Sequence, residues 1–186
     1  MKRAVILHGT NASPEKNWFP WLKKYLEAKG YQVWVPSLPN NDIPNRHTYN
    51  DFLLSSDWDF SDNLVVGHSS GAVSVLNLIS DKRCPKIKTA VMVGVWTDNS
   101  GTHLDPERFS NLFPESGFDI NLLKSKTQNM LFVHGSEDPT CPLNQAQALA
   151  LDTSSDIVIV DGGNHLGADY LELPQLTAAL ESRNWV

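Results

Sequence analysis

Three short stretches of this chain carry side chains that acyl-transfer chemistry requires. Gly67-His68-Ser69-Ser70-Gly71 is a G-x-S-x-G match. In that pattern the serine sits on a sharp strand-to-helix turn, and the flanking glycines let the backbone close without Cβ clashes. A serine hydroxyl is a weak nucleophile near neutral pH and needs a base that is itself held by a third group. His165, in the turn Gly162-Gly163-Asn164-His165, is the candidate base, and Asp138, in His134-Gly135-Ser136-Glu137-Asp138, is the expected orienting acid. Glu137, Asp161 and Asp98 compete with Asp138 for that role. The tetrahedral oxyanion also needs donors. The expected ones are the backbone N–H of Ser70, directly after the nucleophile, and that of Thr10 in His8-Gly9-Thr10-Asn11. Both roles belong to the backbone, so side-chain identity at these two positions carries little weight.

Six apolar runs must place these residues: Ala4–Leu7, Val33–Val35, Leu64–Val66, Ala90–Val95, Met130–Val133 and Ile157–Val160. None alternates apolar with polar, the pattern of strands buried on both faces of a parallel sheet. Between them run helical stripes. Trp18, Trp21, Leu22, Tyr25 and Leu26 share one face, with Pro20 in the first turn and Gly30 just past the end. Ala72, Val75, Leu76 and Ile79 form a second stripe, and Leu173, Leu176 and Leu180 a third; 51–56 and 143–151 are weaker helical segments. Strand–helix alternation predicts a three-layer, doubly wound α/β sheet of about six mainly parallel strands. Ligands bind beyond the carboxyl ends of such strands, and there the chemistry-bearing residues fall, four of the six histidines included. The stretch 97–126 has no long period and is expected to be a lid-like insertion in one domain spanning 1–186.

Net charge is −6, with no basic block, so nucleic acid is not an expected partner. Cys84 and Cys141 are too few for a disulfide framework and fit no zinc spacing. No apolar run approaches the length of a signal-peptide core or a membrane span. The expectation is a cytoplasmic monomer without metal or cofactor. Trp96, at a strand's carboxyl end, is a candidate pocket wall or a core residue. His68, inside the elbow, is a candidate substrate contact that could equally pack beneath the site. Trp18, Trp21 and Trp34 are read as core packing. Cys141, close to Asp138, is an ordinary loop thiol or a redox-sensitive neighbour. In the presumed lid, Phe109, Leu112, Phe113 and Phe118 cover an acyl group or anchor the segment.

The chain resembles the α/β-hydrolase superfamily, in particular the compact serine hydrolases related to retinoblastoma-binding protein 9. The resemblance rests on His8-Gly9-Thr10, Trp18-Phe19-Pro20-Trp21-Leu22, the Gly67–Gly71 elbow, His134–Pro139 and Gly162–His165. It implies a six-stranded sheet, a triad of Ser69, Asp138 and His165, and hydrolysis of small esters or amides without a cofactor. The L-x-C-x-E peptide of retinoblastoma binding is absent, since Lys82 and Pro139 stand two residues before the cysteines. No retinoblastoma-type partner is expected. The rival readings are a catalytically idle binding module on this fold, and a thioesterase or acyltransferase.

Overall fold

The computed structural model describes all residues, Met1–Val186. Its elements run β1 (Lys2–Leu7), α1 (Phe19–Ala28), β2 (Tyr31–Trp34), α2 (Arg46–Leu54), β3 (Leu64–His68), α3 (Ser70–Ser80) and β4 (Ile87–Val93). There follow α4 (Pro106–Phe109), α5 (Ile120–Lys126), β5 (Thr127–Gly135), α6 (Leu143–Thr153), β6 (Asp156–Val160) and α7 (Pro174–Ser182). The six strands form one parallel sheet in the order β2-β1-β3-β4-β5-β6.

Burial on both sheet faces explains the apolar runs. Successive residues of each central strand point into two separate cores. Val5, Leu7, Val65, Ala90, Met92 and Phe132 join the core under α2, α3, α5 and α6. Their chain neighbours Ala4, Ile6, Val66, Val91, Val93 and Leu131 join the core under α1 and α7. Chain winding reverses between β1 and β3, so the loops after these two strands diverge to opposite faces and leave a crevice at that switch point. Ser69 and Thr10 stand at its two sides.

The predicted elements are present, with shifted ends. β5 begins at Thr127, because backbone pairing with β4 extends through polar residues such as Asn129 opposite Thr89. β4 stops at Val93, where Gly94 takes φ 61°. α2 starts at Arg46, because the Asn45 side chain caps it by accepting from the N–H groups of His47 and Thr48.

Within 97–126 the structure contains two short helices. Asp105 and Asp119 cap them, each accepting from a first-turn N–H. Phe109, Leu112 and Leu123 are buried in the core beside α3, and the carbonyl of Leu112 accepts from Asn77 Nδ2. At least this part of the segment is core. Leu123→Ala should therefore cost about 2–5 kcal/mol of stability, measured by denaturant unfolding; a loss near zero would mean that α5 contributes no packing.

Candidate active site

β3 delivers Ser69 to the carboxyl edge of the sheet, and α3 begins at the next residue. The turn between them is held from several sides. Ser69 adopts φ 56° and ψ −128°, its N–H donates to Val93 O, and its carbonyl accepts from the N–H groups of Ala72 and Val73. A side chain on Gly67 would meet the Gly71 carbonyl, and one on Gly71 would meet the Leu7 carbonyl. Only glycine allows helix and strand to approach this closely.

His165 Nε2 lies 2.9 Å from Ser69 Oγ, and His165 Nδ1 lies 2.8 Å from Asp138 Oδ2. The Asp138 side chain is fully buried behind the imidazole, which is itself partly exposed. Burial pushes the Asp138 carboxyl upward, but the hydrogen bond and charge of His165 and the N–H groups of Cys141 and Thr140 outweigh it. The carboxyl settles below its ordinary value. An ionised Asp138 only accepts, so His165 donates from Nδ1 and turns its bare Nε2 toward the serine hydroxyl. Glu137, Asp161 and Asp98 are exposed; Asp98 binds Ser100 and Gln145 instead.

Asp138, Cys141 and His165 also bring one ligand-type atom each within 4.8 Å of one another. Both Asp138 oxygens already accept hydrogen bonds, and burial raises the Cys141 thiol well above its ordinary value. A protonated thiol and an occupied carboxylate suit proton transfer better than metal ligation.

Ser70 and Thr10, the expected oxyanion donors, are brought together, and their side chains bond to each other. Ser70 opens α3, where its N–H has no intrahelical acceptor. Thr10 N–H has no partner in the protein. Thr10 Oγ1 donates to Ser70 Oγ at 2.8 Å. That bond ties the loop after β1 to the start of α3.

The other strand-end histidines act as uncharged struts. His8 Nε2 accepts from Leu38 N–H while Nδ1 donates to the Gly9 carbonyl, joining the 36–41 loop to the Thr10 turn. His134 Nδ1 donates to the Gly135 carbonyl. His68 Nε2 donates to the carbonyl of His165 at 2.9 Å, and Trp18 Nε1 donates to the next carbonyl, Leu166 O, at 2.8 Å. Together these two clamp the turn that carries His165. Trp18, expected as core packing, thus has a positioning contact as well; the cue in the sequence was an indole N–H that burial obliges to find an acceptor.

His68 lines the groove in front of Ser69 but is almost entirely buried. Trp96 does not line it. With 1% exposure it belongs to the core, edge-on to Phe109 and Phe113. Gly94 takes φ 61° where β4 ends, and of the two readings of Trp96 the structure has the core and not the pocket wall.

Burial lowers His8 and His134, and it lowers His68 to about 3, helped there by the nearby His165. Folded-state values below the ordinary 6.5 mean that unfolding takes up protons once pH drops under about 6.5. Stability is then complete above that pH and declines toward pH 3. The slope is about 1.4 kcal/mol per pH unit for each histidine that stays neutral. Denaturation midpoints between pH 8 and 5 should fall accordingly, with uptake of one to three protons; a flat profile would contradict neutral buried histidines.

Residues 4–182 match the family model described as Serine hydrolase. Over 184 residues the chain is 24% identical to YdeN of Bacillus subtilis (strain 168), which covers 97% of this chain and 95% of that one. The crystal structure of the ydeN gene product from B. subtilis aligns over the whole of both chains with a TM-score of 0.84 and 22% identity. Est1E from Butyrivibrio proteoclasticus aligns at 0.68 with 15% identity, over 98% of this chain and 87% of its own. The meta-cleavage product hydrolase from Pseudomonas fluorescens IP01 aligns at 0.67 with 15% identity, over 100% and 89%. No helix is long and apolar enough to cross a membrane. With a family match across nearly its whole length and the α/β-hydrolase fold beneath it, the chain belongs to the serine hydrolase family.

Proposed function

We propose that the protein hydrolyses small carboxylic esters or amides through an acyl-enzyme on Ser69. The observation that carries this reading is the hydrogen-bonded line from Ser69 Oγ through His165 to the buried Asp138. Ser69 Oγ attacks the substrate carbonyl carbon while its proton passes to His165 Nε2. The N–H groups of Ser70 and Thr10 hold the oxyanion. The imidazolium then protonates the leaving alcohol or amine, the C–O or C–N bond breaks, and the acyl group stays on Ser69. Water, deprotonated by the same Nε2, attacks the acyl carbon and releases the carboxylic acid with Ser69 restored. Asp138 holds the imidazole in the required tautomer and offsets its transient charge.

A small substrate is supported by the groove beside Ser69, about 240 Å³ in volume, whose lining has only Ala12 and Ala168 as hydrophobic residues. Reaction in the cytoplasm by a monomer, without metal or cofactor, completes the proposal.

Ser69→Ala should lower turnover of a short-chain aryl ester by about 10⁴–10⁶-fold without unfolding the protein. Asp138→Asn should lower it by about 10⁴-fold through the wrong tautomer. A fluorophosphonate probe should label the wild type once, at Ser69. Retained activity in Ser69→Ala, or labelling elsewhere, would overturn the mechanism.

The Thr10–Ser70 bond generates a separate expectation. Thr10→Val keeps the backbone donor and removes the tie, so kcat should fall by about tenfold while KM changes little. Unchanged kcat would mean that the two N–H groups hold their spacing without it.

A further inference from the structure

The groove beside Ser69 differs in charge from the rest of the molecule. The protein carries a net charge of −6, yet no aspartate or glutamate lines the groove, and Lys16 is its one lysine. Glu15, next to Lys16 in the chain, lies outside the lining. Lys16 takes part in none of the eight ion pairs. Asn11 and Asn17 line the same groove, together with His165 and Gly167; Lys16 and Asn11 are exposed and Asn17 is partly buried. The amide nitrogen of Asn17 faces Gly167, 3.9 Å from where a side chain there would begin.

Left-handed backbone at Asn11 (φ 57°) and Asn17 (φ 55°) accounts for asparagine at both positions without any ligand. It does not account for a lysine and two amides, none bonded to another protein side chain, lining the groove that holds Ser69. Short polar side chains and an unpaired ammonium give a wall that attracts negative charge and offers several donors to it. An apolar acyl chain would find almost nothing to pack against there.

We infer that the substrate carries a carboxylate or comparable anion away from its scissile carbonyl, with the Lys16 ammonium as counter-ion and the Asn17 amide as a neighbouring donor. The inference rests on Ser69 being the nucleophile of this groove and adds the charge class of what the groove accepts. The field of Lys16 acts on encounter as well as on binding, so selectivity should weaken as salt shortens the screening length.

Matched aryl esters test it. One pair is 4-carboxyphenyl acetate and its methyl ester, which differ in charge on the leaving group. The other is the p-nitrophenyl monoester of adipic acid and its methyl-capped twin, which differ in charge on the acyl side. The ratio of kcat/KM for the charged over the neutral member, each divided by its rate of alkaline hydrolysis to remove the leaving-group difference, should exceed one in at least one pair at low ionic strength and approach one in about 1 M salt. Lys16→Gln should lower that ratio about three- to tenfold, Lys16→Glu should lower it further, and Lys16→Arg should keep it. Asn17→Gly, which preserves the left-handed turn and removes the amide, should lower it by a smaller factor. Ratios near one in both wild-type pairs, or ratios unmoved by the Lys16 variants, would overturn the inference while leaving the hydrolase reading intact. Failure of all four esters together with absent fluorophosphonate labelling at Ser69 would remove the hydrolase reading itself, and this inference with it.

Discussion

Ser69 holds its backbone at φ 56° and ψ −128°, a region that costs a non-glycine residue of the order of 1–3 kcal/mol. The surrounding fold keeps it there. The parallel sheet brings Val93 O beneath the Ser69 N–H, the first turn of α3 takes up the Ser69 carbonyl, and the close approach of Gly71 to the end of β1 leaves no room for relaxation. That conformation lifts the hydroxyl clear of the sheet edge and starts a helix at the next peptide. One local constraint thereby sets both the exposure of the proposed nucleophile and the direction of a proposed oxyanion donor.

The partners of Ser69 lie on loops, and loops need anchors if they are to hold atoms to within a fraction of an ångström. Here the anchors are buried polar side chains that reach between loops. His68 and Trp18 hold consecutive carbonyls of the His165 turn, His8 holds the 36–41 loop to the Thr10 turn, and Thr10 holds Ser70. Burial keeps the strut histidines neutral, which leaves His165 as the strand-end imidazole that reaches the nucleophile. Their arrangement suits a site in which only one imidazole should exchange protons with the substrate.

The sheet was legible because strands buried on two faces leave unbroken apolar runs, and the residues that follow those runs had to lie on one edge. Ser69, Asp138 and His165 could be named as candidates for that reason, and the structure brings the three into hydrogen-bond contact. Other features left a weaker trace. Helices of four and seven residues, such as α4 and α5, are too short to display a period. Trp96 read as a pocket wall because a backbone turn at Gly94, not any side chain, sends it into the core. The tie between Thr10 and Ser70 spans 60 positions, a separation at which a single sequence carries no sign of contact. Lys16 and Asn17 carry no motif, and only the folded loop brings them into the groove beside Ser69.

The proposed reaction requires a covalent bond to form at one oxygen with help from one imidazole. An aryl carbamate reports this directly, because a carbamoyl-serine hydrolyses slowly enough to be isolated after quenching. Peptide mass analysis should find a single carbamoyl group, on Ser69, in the wild type, and almost none in His165→Ala over the same interval. Modification at another residue, or equal modification of Ser69 in the His165 variant, would contradict it.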